Sequence, residues 1–253
     1  MGINLKVKCV NNGTYNVFVI TDDEYITNTI THGYEWDGWM RKDVEEYYKE
    51  GTEILDIGAN IGYNSLMFSD YGPVYAFEPL FHKVVQLNID NNNLKHKMYS
   101  VPIALSNKNG TSIMYFPTSV PNTGLRNYGG SSMYTFDGTD YSTETKVDCR
   151  RLDDIYKGVT SFMKIDVEGM ELAVLTGAEE SIRKDKPILI IEFSAEREVG
   201  SRKVLYDKIE SFGLYSFYKL KVGKERTSRL VEIGSFSEVP KDDNVFCLAN
   251  KKQ

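Results

Sequence analysis

The chain has 253 residues, 41% of them hydrophobic and 26% charged, which suits one globular α/β unit with additions. Its formal net charge is −6, which argues against a protein that grips a nucleic-acid backbone. Three separated cysteines (Cys9, Cys149, Cys247) make neither a zinc motif nor a disulfide framework, and no signal-peptide or membrane-spanning pattern is present, so the expected setting is the reducing cytoplasm.

Taken in chain order, residues 4–20 alternate apolar and polar positions about Asn11, Asn12 and Gly13, which predicts a hairpin. Trp36, Trp39, Met40, Val44, Tyr47 and Tyr48 recur at helical spacing and predict a helix over 36–49. These elements form an N-terminal extension over 1–50, ahead of a main domain over 51–253. The main domain then reads strand 53–57, helix 62–70, strand 74–77, helix 80–93, strand 97–102 and an added strand at 111–116. Residues 117–143 are rich in Ser, Thr, Gly and Asn without periodicity, and a loop of that length is usually functional or disordered. A strand ETKVDCR and a short helix near LDDIY follow, then strand 161–166, helix 169–182, strand 187–193 and helix 201–211. LYSFYKL and NVFCLAN read as two closing strands separated by a charged loop. Strands alternating with helices imply a Rossmann-like, mostly parallel sheet covered on both faces.

In such sheets the residues just beyond the strand ends carry the chemistry. EILDIGANIGYN, residues 53–64, is an apolar strand running into a glycine turn and then a helix. Gly58 permits the turn, Ala59 and Gly62 leave backbone bare for a ligand, and Tyr63 and Asn64 open the helix beside it. Glu78 ends the next strand twenty residues after Gly58, where an acid accepts ribose hydroxyls, and Pro79 follows it. A dinucleotide site wants a third glycine where Asn60 stands, and that side chain would crowd a diphosphate. S-adenosylmethionine has no phosphate, and Asp56 can meet its methionine end directly or through water. Ala104 and Leu105, after the third strand, are placed to flank an adenine. Lys164, Asp166 and Glu168, the candidate catalytic set, are two apart at the fourth strand's end, so an extended chain turns all three to one side; Lys164 can pair with Asp166, which is also placed beside the cofactor's methionine part.

The segments ILDIGANIGYNSLMFS, VYAFEP, FMKIDVEGMELAVLTGA and KPILIIEF, in this order, resemble the FkbM family of methyltransferases over about residues 31–250. The resemblance implies a seven-stranded class I methyltransferase fold, S-adenosylmethionine as cofactor and O-methylation, often of sugar hydroxyls. It also implies that Glu35 belongs to a Gly-x-x-Glu-like feature closing over the cofactor, with His32 and Tyr34 nearby. Residues 126–138 are similar to a Gly-Ser-Ser segment of the family; Ser131 and Ser132 are candidates to bond acceptor hydroxyls, and Tyr128 and Tyr134 to stack on a sugar. An acceptor hydroxyl must lose its proton during attack, so Asp166 and Glu168 are candidate bases. The same two carboxylates, with Glu192 after the fifth strand, are alternatively candidate ligands for a divalent metal. Glu192 is equally a candidate for binding the acceptor. The acceptor expected is a small molecule or glycan, with no nucleic-acid or membrane partner. A ribose methyltransferase, an NAD-dependent oxidoreductase and a silent nucleotide-binding module are the competing readings; Asn60 and the lack of a Tyr-x-x-x-Lys pair argue against the oxidoreductase.

Overall fold

The structure is a computed structural model that describes residues 5–117, 124–135, 141–194 and 201–250. A hairpin of β1 (Val7–Asn11) and β2 (Asn16–Ile20) opens the chain, followed by α1 (Ile26–Thr31) and α2 (Met40–Tyr47). The next elements are β3 (Glu53–Ile57), α3 (Tyr63–Phe68), β4 (Val74–Phe77), α4 (His82–Asp90) and β5 (Met98–Val101). Then come β6 (Ala104–Leu105), β7 (Gly110–Pro117), β8 (Tyr141–Arg150), α5 (Leu152–Ile155) and β9 (Thr160–Ile165). The chain closes with α6 (Glu171–Gly177), α7 (Glu179–Asp185), β10 (Ile188–Phe193), α8 (Ser201–Glu210), β11 (Tyr215–Leu220), β12 (Leu230–Ile233) and β13 (Asp243–Ala249).

The main sheet has eight strands in the order β12-β11-β13-β10-β9-β3-β4-β5. The five from β10 to β5 run parallel; β13 and β12 run against them, and β11, antiparallel to both of its neighbours, runs with them. The period of two in a strand sorts side chains between the two faces. Ile54, Val74, Phe162 and Ile190 pack on one face with α3, α4 and the N-terminal hairpin. Leu55, Ile57, Met163, Ile165 and Leu189 pack on the other with α6, α7 and α8. The chain winds outward from β3 through β4 to β5, then returns to add β9 on the other side of β3. That reversal opens a crevice beyond the carboxyl ends of β3 and β9. A second sheet, β6-β8-β7, flanks it.

Three expectations change, and one helix is unanticipated. The sheet has eight strands because LVEI, within the stretch expected to be a charged loop, pairs as β12 on the outer edge of β11. The helix expected from Trp36 starts at Met40, since Asp37 has φ +51, which a right-handed helix excludes. The helix expected over 169–182 breaks at Ala178, where Gly177 presses on the Ser106 carbonyl so closely that a Cβ would lie 2.0 Å from its oxygen. Finally, α1 forms from ITNTIT, a β-branched run of low helix propensity, because Ile26 and Ile30 bury in the core. The hydroxyls of Thr29 and Thr31 bond back to the carbonyls four residues earlier.

The 1–50 extension shares its core with the sheet: Val17, Val19, Ile30 and Trp39 lie in one apolar cluster with Ile54 and Phe162. Asn88 of α4, with no exposed surface, fixes the join. Its Oδ1 accepts from Phe18 N at 2.6 Å, and its Nδ2 donates to Ile61 O at 2.7 Å. One side chain thus ties the hairpin to the glycine turn.

Candidate active site

At the end of β3 the chain turns through Gly58, at φ +83. A Cβ there would sit 1.8 Å from the Asp166 carbonyl oxygen, so the absence of a side chain lets β9 end against this turn. Asn60 is also left-handed, at φ +52, and its N–H donates to Glu78 Oε2 at 2.9 Å. Glu78 Oε1 accepts from Leu80 N at 2.7 Å and Phe81 N at 3.1 Å. Burial pushes the Glu78 carboxyl up to about 7 against the opposing pull of these three N–H groups. Gly62 has a different role from the one expected. Val85 and Met98 occupy the space above it, at 3.1 and 3.2 Å from a would-be Cβ, so it serves helix packing and not ligand approach.

Gly58 and Asn60 divide the cleft into two connected parts. One is a narrow slot whose walls include Phe81, Ala104, Leu105 and Met114, with Glu78, Pro79 and Ser131 on its lining. The other is polar, lined by Ala59, Tyr63, Asn64, Lys164, Asp166, Glu168 and Glu192.

Charge is concentrated where β9 and β10 end. Lys164, 3% exposed, lies 2.9 Å from Asp166 Oδ2 and 4.0 Å from Asp56 Oδ1. Asp56 is fully buried and does not line the cleft; its Oδ2 accepts from Ser65 Oγ at 2.5 Å. Burial raises its pKa, against Lys164 and Ser65, which lower it. Burial also works to raise Asp166, but the Lys164 ammonium outweighs it and holds Asp166 below the usual carboxylate range. Glu192 moves the opposite way, pushed up first by the charge of Asp166 and then by burial.

Glu168 joins them by a route that strand alternation does not give. β9 ends at Ile165, and Glu168 turns left-handed at φ +53 ahead of Gly169 at φ +94. Two groups hold the turn. Glu171 accepts from Val167 N at 2.9 Å and Gly169 N at 3.1 Å, and Ser132 Oγ donates to Glu168 O at 2.6 Å. One carboxylate oxygen from each of Asp166, Glu168 and Glu192 then lies within 4.8 Å of the others. Three carboxylates are a donor set that suits a hard divalent cation as well as a proton.

Other candidates sit differently from their expected roles. Ser132 has no exposed surface and bonds the Glu168 backbone, while Ser131 Oγ donates to Tyr128 O at 2.8 Å. Tyr128 lines the slot, with its ring edge on Phe81 and its hydroxyl donating to Asp22 Oδ2 at 3.1 Å. Glu35 lies outside both parts of the cleft, in a recess beside Tyr34, where Arg41 and Arg226 hold its carboxylate. His32 is exposed, and its Nδ1 faces Asn28 O at 2.8 Å. Tyr134 lines a separate recess, and positions 136–138 of the Gly-Ser-Ser segment lie outside the described residues.

Sequence reasoning missed Glu171, Asp37, Lys224 and Asp242. The last three line the polar part, and burial pushes the Glu171 carboxyl up to about 8. An acid just after EGM reads in sequence as an ordinary first-turn helix residue, so nothing there marks a clamp on the preceding turn.

The model of a family described as the methyltransferase FkbM domain matches residues 56–214. Among solved structures, the chain is similar to a methyltransferase FkbM from Methylobacillus flagellatus KT, with 18% identity and a TM-score of 0.48 over 82% of this chain and 50% of that one. It is similar to the M. jannaschii tRNA m1G37 methyltransferase at 10% identity and TM-score 0.47, over 100% of this chain and 57% of that one. A third is the Pyrococcus abyssi tRNA (uracil-54, C5)-methyltransferase in complex with S-adenosyl-L-homocysteine, at 10% identity and TM-score 0.44, over 95% and 43%. The chain thus spans about half the length of the first two of these. No curated protein matches it.

Proposed function

Because the chain belongs to the FkbM methyltransferase family and has a class I methyltransferase-like fold, we propose that it is an S-adenosylmethionine-dependent O-methyltransferase acting on a hydroxyl of a sugar or glycoconjugate. One observation carries the reading. An apolar slot rimmed by a buried acid, Glu78, runs past the bare Gly58 turn to three clustered carboxylates. The slot suits an adenine, and the acid suits ribose hydroxyls. The far end suits a reaction that must remove a proton from a weakly acidic hydroxyl.

S-adenosylmethionine supplies, when bound, a methyl carbon on a positively charged sulfur. The residues of the chain do the rest. Glu78 and the turn at Gly58–Asn60 fix the nucleoside end. Lys164 keeps Asp166 ionised, and Asp166 would accept a hydrogen bond from a neighbouring hydroxyl of the acceptor and so orient it. Glu168 would take the proton of the reacting hydroxyl, and the cofactor would supply the methyl group and be left as S-adenosylhomocysteine. Glu171 and Ser132 hold the Glu168 turn in place. The polar lining and the three cysteines, none of them paired, agree with a polyhydroxylated acceptor handled in the cytoplasm. Among the described residues no helix is long and apolar enough to cross a membrane.

The oxygen cluster of Asp166, Glu168 and Glu192 favours a second reading, in which these groups hold a divalent cation that polarises the acceptor oxygen. The test is methyl transfer from labelled S-adenosylmethionine to a panel of hexose and deoxysugar glycosides, with and without EDTA. Transfer that EDTA spares supports Glu168 as the base, and transfer that EDTA abolishes moves the three carboxylates to metal ligation. Cofactor binding without transfer to any sugar sinks the sugar acceptor.

A further inference from the structure

The short turn at residues 36–39, ahead of α2, carries Asp37 to the polar part of the cleft. Asp37 has φ +51, a conformation that costs a residue other than glycine about 1 kcal/mol or more. Two donors hold its carboxylate in place: Trp39 Nε1–H at 3.0 Å on Oδ1, and the Asn64 amide at 3.2 Å on Oδ2. Neither is cationic, and among the described residues Asp37 has no cationic nitrogen within 4.0 Å. Glu35, two residues earlier, is in contrast clamped by Arg41 and Arg226.

Asn64 adds a second, independent observation. It is 7% exposed and lines the same part of the cleft, and its Oδ1 has no hydrogen-bond partner. Leaving a buried amide oxygen unpaired costs about 1–3 kcal/mol. Flipping the amide would not relieve it, because that would turn one oxygen onto another at Asp37. The pair therefore offers an anionic carboxylate and an orphaned amide oxygen side by side, both acceptors. The complementary ligand is a compact cation with several N–H donors, which describes an ammonium group.

We infer that Asp37 and Asn64 form an ammonium subsite, and that its occupant is the α-ammonium at the amino-acid end of S-adenosylmethionine. The inference rests on the cofactor assignment of the proposed function and adds a residue from the N-terminal extension to the binding site. Asp37 binds and does not take part in methyl transfer. It closes the amino-acid end of the cleft, opposite the apolar slot.

Calorimetric titration of wild type, Asp37→Asn and Asn64→Ala with three ligands tests it. S-adenosylhomocysteine carries the ammonium, its deaminated analogue keeps the carboxylate alone, and 5′-methylthioadenosine lacks the amino-acid end. Both variants are expected to bind S-adenosylhomocysteine about 10- to 100-fold more weakly. Their affinity for the deaminated analogue and for 5′-methylthioadenosine is expected to match wild type, which also shows that the variants are folded. Equal weakening toward all three ligands, or none toward S-adenosylhomocysteine, overturns the subsite. Failure of wild type to bind any of the three overturns the cofactor assignment and the subsite with it.

Discussion

Asp166 and Glu192 bring carboxylate oxygens within 4.8 Å of each other at the carboxyl ends of neighbouring strands and respond to protons in opposite ways. Lys164 holds Asp166 ionised; that negative charge, with burial, keeps Glu192 protonated well above the usual carboxylate range. A carboxyl whose pKa is raised by folding stabilises the fold fully below its unfolded pKa. That contribution is lost as pH rises through its folded pKa. Gln mimics the protonated form without titrating. Glu192→Gln is therefore expected to match wild type near pH 4 and to exceed it at pH 9, by about 1 kcal/mol or more, roughly 2–4 °C in Tm per kcal/mol. Thermal unfolding followed across this range checks it; an advantage that shrinks with rising pH refutes the assignment.

Glu168 combines an unfavourable backbone conformation with a place in the carboxylate cluster. Glycine tolerates the left-handed turn and has no carboxylate. Glu168→Gly is expected to lower kcat by about 100-fold or more while losing no stability and gaining up to about 1 kcal/mol. Urea unfolding beside single-turnover kinetics reads both effects. A variant that keeps its turnover removes Glu168 from the chemistry.

At Gly58 the closest neighbour is backbone and cannot swing away. Gly58→Ala adds a methyl that would overlap the Asp166 carbonyl oxygen, at a residue with φ +83. A loss of about 3 kcal/mol or more is expected, seen as a lower urea midpoint and poor soluble yield. Ala at Gly213, where φ is +65 and nothing lies within 4 Å, is the control for conformation alone and is expected to cost about 1 kcal/mol.

Asn88 gives a fourth prediction. Its side chain bonds Phe18 N, Phe18 O and Ile61 O, so Asn88→Ala leaves buried backbone groups of two segments unpaired. The expected cost is about 2–4 kcal/mol. Amide hydrogen exchange is expected to speed up in β2 more than in β10. Uniform acceleration would instead mean that the hairpin and the sheet open together.

Much of this protein was legible as periodicity. The apolar runs of ILDI, VYAF, SFMKI and ILIIEF are strands because burial on both faces leaves no polar positions to alternate, and each reappears in the parallel part of the sheet. The turn at Gly58 and the spacing to Glu78 were equally plain, since they are local backbone requirements. β12 and α1 were hidden because their residues take their conformation from neighbours distant in sequence: β12 from the open edge of β11, and α1 from a core pocket for Ile26 and Ile30.

For the site, the sequence by itself determined that carboxylates and a lysine cluster after the fourth parallel strand, beside a glycine turn. Only the tertiary structure decided what each one meets. Asp56 and Lys164 are adjacent because β3 and β9 are paired in register, although they are 108 positions apart along the chain. Glu168 reaches Asp166 through a left-handed turn held by Glu171, and Asp37 arrives from an extension that looked like a separate preamble. The physical reason is one of range. Strand and turn preferences act over a few residues and are written in local pattern, whereas a carboxylate's charge state and partners depend on distances of a few ångströms set by long-range packing.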